Sequence, residues 1–485
     1  MAELGLMSQD DSPSIALAGI AAATVWGATG RSVPSDLRAA GIDSAMIETP
    51  QFATGLVGSP ATPGLIGVLY EAGLADEVRS SGVHYTPPNV AARLVSLVGL
   101  SDHPGASGRS AHAVWDPACG GGAFLLAAAD ALHQGGQDPA HIVEHLLWGT
   151  DIDPGAIAVA EAALVLWATE HGVPDARPGA HLHVGDGLLN PVVPAGGFHW
   201  VVGNPPFQGQ LTGGVVRSGD TRAALRDRWG DVVGPYTDTA ALFLVAAVEA
   251  LAPGGRATLV LPTSILAARD AAGCRAAVAA AADLTDMWVA TESVFDADVD
   301  VWAPVLVKRG GSAPEARPVR RWRGLDFAAL PDAPETSVAG STWHRTPGAS
   351  WSPLALTALG VPDPAMRSSG TISDIATTSA AFRDEYYGLV EHVREGPEVS
   401  GTEPWVDLTT DLSPLITSGL VDPGRCRWGS RPARFARQRF DRPVVNIESL
   451  RMAGGPAANW VGATAGPKVV VATQTRVGEA AVDEQ

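Results

Sequence analysis

From Gly82 to about Arg309, short apolar runs alternate with longer helical stretches, and the flanking sequence lacks that rhythm. Residues 113–115 read as a short strand, followed by a glycine turn and a helix over 124–133. Residues 146–148 form a second strand, and 154–170 its helix. Strands follow at 181–184 and 200–202. A helix over 239–251 stops at Pro253-Gly254-Gly255, ahead of a strand at 257–261. Strands and helices alternating at this spacing predict βαβ units and an α/β fold with a doubly wound, mostly parallel sheet. Ligands in such sheets sit beyond the C-terminal ends of the strands.

The flanks differ. Residues 1–77 read as an Ala-rich helical lead; the apolar run at 15–26 is too short to span a bilayer and reads as a packed helix. Residues 310–318 (GGSAPEARP) read as a linker between a domain at 78–309 and a C-terminal α+β domain at 319–485. A strand is expected at 468–472, and the chain ends soon after it, as a domain cut short would.

Composition narrows the function. A chain of 485 residues with 46% hydrophobic content holds two or three domains with real cores. Cys119, Cys274 and Cys426 are far apart and form neither a zinc site nor a disulfide framework, which suits a reducing cytoplasm. The N-terminus, with Glu3, Asp10 and Asp11, has no basic region of a signal peptide. Lys308 and Lys468 are the only lysines, so a nuclease site of the acidic-pair-plus-lysine type has almost none to use. The formal charge of -19 argues against a nucleic-acid partner unless a basic patch is concentrated locally.

Four motifs carry chemistry. The first, Asp116-Pro117-Ala118-Cys119-Gly120-Gly121-Gly122-Ala123-Phe124, lies directly after a strand and opens a helix. Its glycines allow a tight turn and close approach of a ligand, and the helix start adds free N–H groups. The spacing is not that of a dinucleotide fingerprint, and the leading Asp116 suits the ammonium of an amino-acid ligand. A plain strand-to-helix turn is the alternative. The second, Gly149-Thr150-Asp151-Ile152-Asp153-Pro154, places Asp151 to accept from both ribose hydroxyls, Ile152 to pack on a base, and Asp153 to cap the next helix. Alternatively, both aspartates only cap. In the third, Gly185-Asp186-Gly187, Asp186 is a turn aspartate taken alone; in this series it is placed to accept from an adenine amine.

The fourth is Gly203-Asn204-Pro205-Pro206-Phe207. An exocyclic amine on an aromatic ring is a poor nucleophile because its lone pair is delocalised. Acceptors on the Asn204 side chain and the Pro205 carbonyl can bind its two hydrogens and aim the lone pair at an electrophile. Pro205 and Pro206 fix the loop, and Phe207 offers a face to an unstacked base.

In this order the motifs resemble the DNA N6-adenine methyltransferase family in its gamma arrangement, over roughly residues 78–309. The resemblance implies a class I S-adenosylmethionine-dependent fold. It places Thr86, in Gly82-Val83-His84-Tyr85-Thr86-Pro87-Pro88, against the methionine carboxylate. Asp116, Ala118, Cys119, Gly120 and Gly122 would lie on the methionine part, Asp151 and Ile152 on the ribose and base, and Asp186 on the adenine. Asn204, Pro205, Pro206 and Phe207 would hold the target base, with Phe295 of Ser293-Val294-Phe295 stacking on it. Gly121 stands where Ser is commoner, and Phe207 where Tyr is. No metal is implied.

The expected partner is double-stranded DNA, together with other restriction or defence subunits, and no membrane. Residues 425–451 hold eight arginines, among them Arg425, Arg427, Arg431, Arg434, Arg437 and Arg439, against Asp441 and Glu448, a net charge of +6. Trp428, Phe435 and Phe440 are interleaved with them. These arginines are candidates for the DNA backbone; a solvated, salt-bridged helix face is the alternative. Rival readings keep the catalytic domain but change the substrate to rRNA or protein glutamine, or make the chain a non-catalytic DNA-binding defence subunit. Cytosine-N4 enzymes usually carry Ser in place of Asn204.

Overall fold

The computed structural model describes residues 63–64, 67–68, 70, 86–100, 113–207, 219–234, 236–295, 299–311, 319–330, 350–355, 358, 374–379, 385–397, 411–422, 424–464, 466–472 and 479–483. The helices expected over 1–62, and residues 82–85 ahead of Thr86, lie outside them. The chain divides into two compact units, residues 1–364 and 365–485.

Among the described residues of the first unit, ten strands form one sheet. They are β1 (Val114–Asp116), β2 (Leu147–Asp151), β3 (Leu182–Val184), β4 (Phe198–Gly203), β5 (Leu251–Leu259), β6 (Leu261–Pro262), β7 (Ala282–Val289), β8 (Val301–Lys308), β9 (Arg320–Arg323) and β10 (Ala328–Leu330). The spatial order is β3-β2-β1-β4-β5-β8-β7-β9-β10, with β6 alongside β8. Strands β1 to β5 are mutually parallel, and β8 runs antiparallel between β5 and β7. The order reverses beside β1, where ligand crevices of doubly wound sheets open.

Alternate residues serve opposite faces. Trp115, Val201, Trp302 and Leu306 enter one core; Val114, Trp200, Val202, Val301 and Ala303 enter the other. Helices α1 (Pro88–Leu97), α2 (Ala123–Gln134) and α3 (Pro154–Glu170) cover the second face. Helices α4 (Gly219–Trp229), α5 (Thr239–Ala250) and α6 (Ala272–Ala281) follow, the last two against the first face. α3 starts where Asp153 accepts from the N–H of Gly155 at 2.8 Å, with Pro154 in the first turn; Asp238 caps α5 likewise through Ala240.

The expected linker at 310–318 does not end this unit. β9 pairs in parallel with β7, and the N–H of Trp351 donates to the Leu266 carbonyl at 2.6 Å while its ring packs edge-on to Trp302. The reason is a buried charge. Asp286 of β7 is 1% exposed and is held by Arg320 of β9 at 2.8 and 3.0 Å and by the Trp322 indole at 3.2 Å. A buried carboxylate needs partners, and here they come from beyond the glycine-rich stretch. The boundary therefore falls at 364/365 rather than at 319.

The second unit is α+β. β11 (Val393–Glu395), β12 (Leu412–Pro414) and β17 (Pro443–Asn446) form a three-stranded sheet with β17 central. Two-stranded ribbons are made by β13 (Val421–Asp422) with β14 (Arg425–Cys426), β15 (Ala433–Phe435) with β16 (Gln438–Phe440), and β18 (Lys468–Ala472) with β19 (Glu479–Asp483). β18 has the expected bounds. Helices α7 (Ile447–Ala453) and α8 (Gly455–Thr464) flank a core containing Leu389, Leu415, Phe435, Phe440 and Leu450.

Arg320→Ala leaves the Asp286 carboxylate short of its main partner. It is expected to destabilise the protein by about 2 kcal/mol in urea unfolding, below the usual cost of breaking a buried pair because this arginine is partly solvated. An unchanged midpoint would show that β9 does not depend on the pair.

Candidate functional site

The first motif forms the turn between β1 and α2. Asp116 is buried, and its Oδ1 accepts from the Ala118 N–H at 3.1 Å. Gly120 and Gly122 have φ of 50° and 89°, left-handed values that cost L side chains, and Gly122 opens α2. Buried Cys119 ties the turn to the neighbouring strand end, its N–H donating to the Thr150 carbonyl at 3.0 Å.

The turn after β2 meets it. Asp151 accepts from the N–H of Gly120 at 2.9 Å through one oxygen and from the N–H of Asp153 at 2.9 Å through the other. Partial burial pushes the Asp151 carboxyl up to about 6, against the pull of the Asp153 and Gly120 N–H groups and with a further push from the Asp153 charge. Asp153 caps α3, as expected, and its second oxygen accepts from the Tyr70 hydroxyl. Ile152, between the two aspartates, is 74% exposed. A bare isoleucine beside a carboxylate is suited to the flat face of a base above a ribose.

After β3, Asp186 accepts from the N–H groups of Leu188 and Leu189 at 2.8 and 3.3 Å, so it serves its own turn. That turn lies against the first one: a Cβ on Gly187 would fall 2.3 Å from the Pro117 carbonyl oxygen. Thr86 is buried just ahead of α1.

The Asn-Pro-Pro-Phe loop leaves the end of β4. Gly203 is clamped between Asp116 and β5: its carbonyl accepts from the Val260 N–H at 3.0 Å, and a Cβ on it would sit 2.6 Å from the Asp116 Oδ1. Asn204 is half-buried, Pro205 buried, and Pro206 and Phe207 half-buried. The rings of Phe207 and Phe295 meet edge to face, 6.0 Å apart at 67°. Two aromatics separated by more than eighty residues of sequence thus share one position.

The structure therefore brings the four motifs and Phe295 to one end of the sheet. Two contributors were not anticipated. Tyr70 reaches Asp153, and Gly67 lies on Gly121, where a Cβ on either would meet the other's backbone at 2.9 and 2.6 Å. The tyrosine carries no spacing signal that links it to a turn eighty residues away.

Apart from Arg451, which lies in α7, the arginines of 425–451 lie on strands, turns, bends and loops, not on a helix face. Arg427 and Arg431 pair with Asp422, at 2.6 and 3.3 Å, and their hydrogen bonds and charge hold its carboxyl below the usual range. Arg425, Arg434, Arg437 and Arg439 are exposed. In the β15–β16 hairpin Arg434 stands directly opposite Arg439, while Ala433, Phe435 and Phe440 are buried. The turn residues Ala436 and Arg437 both have positive φ, 50° and 64°. The interleaved aromatics are core: Trp428, Phe435 and Phe440 are all buried, and the Trp428 indole donates to the Pro443 carbonyl at 2.7 Å.

Among the described residues, no helix is long and apolar enough to cross a membrane, and no group of three metal-ligating side chains gathers.

Residues 63–303 match the family model described as N-6 DNA Methylase. The chain is 25% identical over 198 residues to the type I restriction enzyme MjaIX methylase subunit of Methanocaldococcus jannaschii; the match covers 41% of this chain and 32% of that one. This chain thus spans about a third of the curated relative. Among solved structures it is similar to a modification subunit of a putative type I restriction enzyme from Vibrio vulnificus, with a TM-score of 0.42 and 20% identity over 59% of this chain and 56% of that one. It is also similar to a putative class I S-adenosylmethionine-dependent methyltransferase from Listeria monocytogenes, with a TM-score of 0.42 and 14% identity over 67% and 87%.

The packing at Gly203 is testable without any ligand. Gly203→Ala drives a methyl group into the Asp116 carboxylate and should cost about 1–3 kcal/mol of stability. A thermal unfolding midpoint equal to wild type would disprove the contact.

Proposed function

We propose, from the match of residues 63–303 to the N-6 DNA methylase family model, that the chain methylates the N6 amine of adenine in DNA, with S-adenosylmethionine as donor, within a restriction-modification or phage-defence system. The observation that carries this reading is the direct packing of the Asp116 turn on the residue before Asn204. The two motifs share one wall, so a donor on the first lies beside an amine held by the second.

The residues present fit the cofactor. Left-handed glycines at 120 and 122 keep the turn open to close approach, a partly buried carboxylate follows at 151, and an exposed isoleucine stands at 152. On this reading Thr86, Asp116, Ala118, Cys119, Gly120 and Gly122 hold the methionine portion, Asp151 and Ile152 the ribose and adenine, and Asp186 the adenine amine. When bound, the sulfonium supplies an intrinsically good methyl donor, so the protein's task is positioning.

Duplex DNA buries the target amine in the base stack, so the adenine must be extruded. The Phe207–Phe295 pair offers the extruded ring an aromatic wall. Asn204 and Pro205 accept the two N6 hydrogens, which favours a tetrahedral nitrogen whose lone pair faces the methyl group. The prolines keep those acceptors in place without an entropy cost at each turnover. Arg425, Arg434, Arg437 and Arg439 are assigned to backbone phosphates; Arg427 and Arg431, engaged by Asp422, are better read as structural. Restriction or defence subunits are the proposed protein partners.

Transfer of labelled methyl from S-adenosylmethionine to unmethylated bacterial DNA should yield N6-methyladenine with wild type. With Asn204→Ala it should yield none, while cofactor affinity stays within about threefold. Loss of cofactor binding in that variant would refute the division of labour. Replacing Arg434, Arg437 and Arg439 together by alanine should weaken DNA binding by at least about tenfold and flatten its dependence on log salt by about 2 to 3. Arg427→Ala should leave that slope nearly unchanged; a triple variant with wild-type affinity would remove the hairpin from the DNA interface.

A further inference from the structure

We propose that Tyr70 is a positioning residue of the cofactor site, holding the Asp151–Asp153 turn through Asp153, and that positions 67 and 121 are both glycine so that the segment bearing Tyr70 can lie on the glycine turn. The inference rests on the reading of residues 116–122 and 151–153 as the S-adenosylmethionine site.

Gly67 and Tyr70 are both helical and lie three positions apart, the spacing at which helical neighbours meet. Between them they touch both halves of the site. The Gly67 backbone lies against Gly121, where a Cβ on Gly121 would come within 2.6 Å of the Gly67 Cα and one on Gly67 within 2.9 Å of the Gly121 oxygen. The glycine at 121, where the resembling family commonly has serine, thus has a local cause: a side chain there would occupy the upstream backbone's place. Gly155 shows the same fit at the other end, since a Cβ on it would sit 3.1 Å from the Tyr70 hydroxyl.

Tyr70 itself is 2% exposed, and its hydroxyl donates to one oxygen of Asp153. The other Asp153 oxygen accepts from Gly155 at the start of α3, and the Asp153 N–H donates to Asp151 at 2.9 Å. Tyr70, Asp153 and Asp151 form a relay from the upstream segment to the carboxylate assigned to the ribose, the arrangement by which outer partners fix ligand-binding groups. The relay also governs charge. The groups facing Asp151 are the Asp153 carboxylate and the N–H groups of Gly120, Ile152 and Asp153, and of these the Asp153 charge opposes ionisation of Asp151. A hydroxyl donated to Asp153 disperses that charge. Without it, Asp151 meets a harder repulsion and becomes ionised, ready to accept from ribose hydroxyls, only at higher pH.

The test uses the full chain and S-adenosylhomocysteine as the probe, titrated calorimetrically from about pH 5 to about pH 8.5 for wild type, Tyr70→Phe and Gly67→Ala. Ribose binding favours ionised Asp151, so wild-type affinity should be complete above about 6 and fall as pH drops through that value. Tyr70→Phe should bind about threefold to tenfold more weakly at neutral pH, with the fall displaced to higher pH. Gly67→Ala keeps the hydroxyl but adds a methyl group against Gly121, and it should also weaken the probe. Unchanged affinity and pH midpoint in Tyr70→Phe would overturn the proposal. So would a lowered melting temperature with an unchanged pH profile, since that marks a purely structural tyrosine. If wild type fails to bind the probe, the reading of the cofactor site falls, and the proposal with it.

Discussion

The site depends on one crowded carboxylate. Asp116 is buried at the end of β1, the strand beside which the sheet order reverses, and it has a glycine of the neighbouring strand end against its oxygen where any other residue would place a Cβ at 2.6 Å. That oxygen also accepts the Ala118 N–H and so shapes the turn into α2. One side chain thereby fixes both the glycine turn and the exit of the Asn-Pro-Pro loop. On the proposed function, catalysis by positioning would gain from this arrangement, because packed backbone rather than mobile side chains would set the relative placement of donor and acceptor sites.

A second constraint is electrostatic. Asp151 pairs with no cation in its turn; its partners there are the backbone N–H groups of Gly120, Ile152 and Asp153, and partial burial raises its carboxyl to about 6. A carboxyl raised in the folded state contributes stability that is complete below its ordinary range and is lost as pH rises through the folded value. At neutral pH the turn therefore carries an ionised group that the fold disfavours, and on the proposed function two ribose hydroxyls would relieve it. On that reading binding and local stability would be coupled at this position, which is how a partly desolvated acid serves a site better than a solvated one.

The sequence made the parallel half of the fold legible because β1 runs into a helix opened by Gly122, β2 into one capped by Asp153, and α5 is capped by Asp238; the bounds at Asp153, Pro154 and 468–472 held closely. Strands β7 and β8 were not individually foreseen. Their pairing is antiparallel and their residues are buried on both faces, so neither helps a period-two reading. The boundary at 319 failed for a related reason: glycine and proline mark a turn, yet whether the chain returns to the same sheet depends on Asp286, a buried acid whose partners lie more than thirty residues downstream. Within the site, the four motifs were visible because they are contiguous. Tyr70 and Gly67 were not, since their contacts cross more than fifty residues and carry no local spacing.

The arginine-rich stretch shows how burial sorts a charge cluster that composition leaves mixed. Asp422, outside the window that gave +6, engages two of its arginines, and all three of its bulky aromatics are core. What remains exposed in the β15–β16 hairpin is a less comfortable arrangement: Arg434 faces Arg439 across the ladder, and two non-glycine residues hold left-handed turn conformations. Directly opposed like charges and positive φ at non-glycine positions each cost stability. In a chain of formal charge -19 such a concentration is not explained by average composition. An anionic partner would convert the repulsion between the two guanidinium groups into shared attraction, and a row of phosphates offers that charge at a spacing a short two-stranded ribbon can follow.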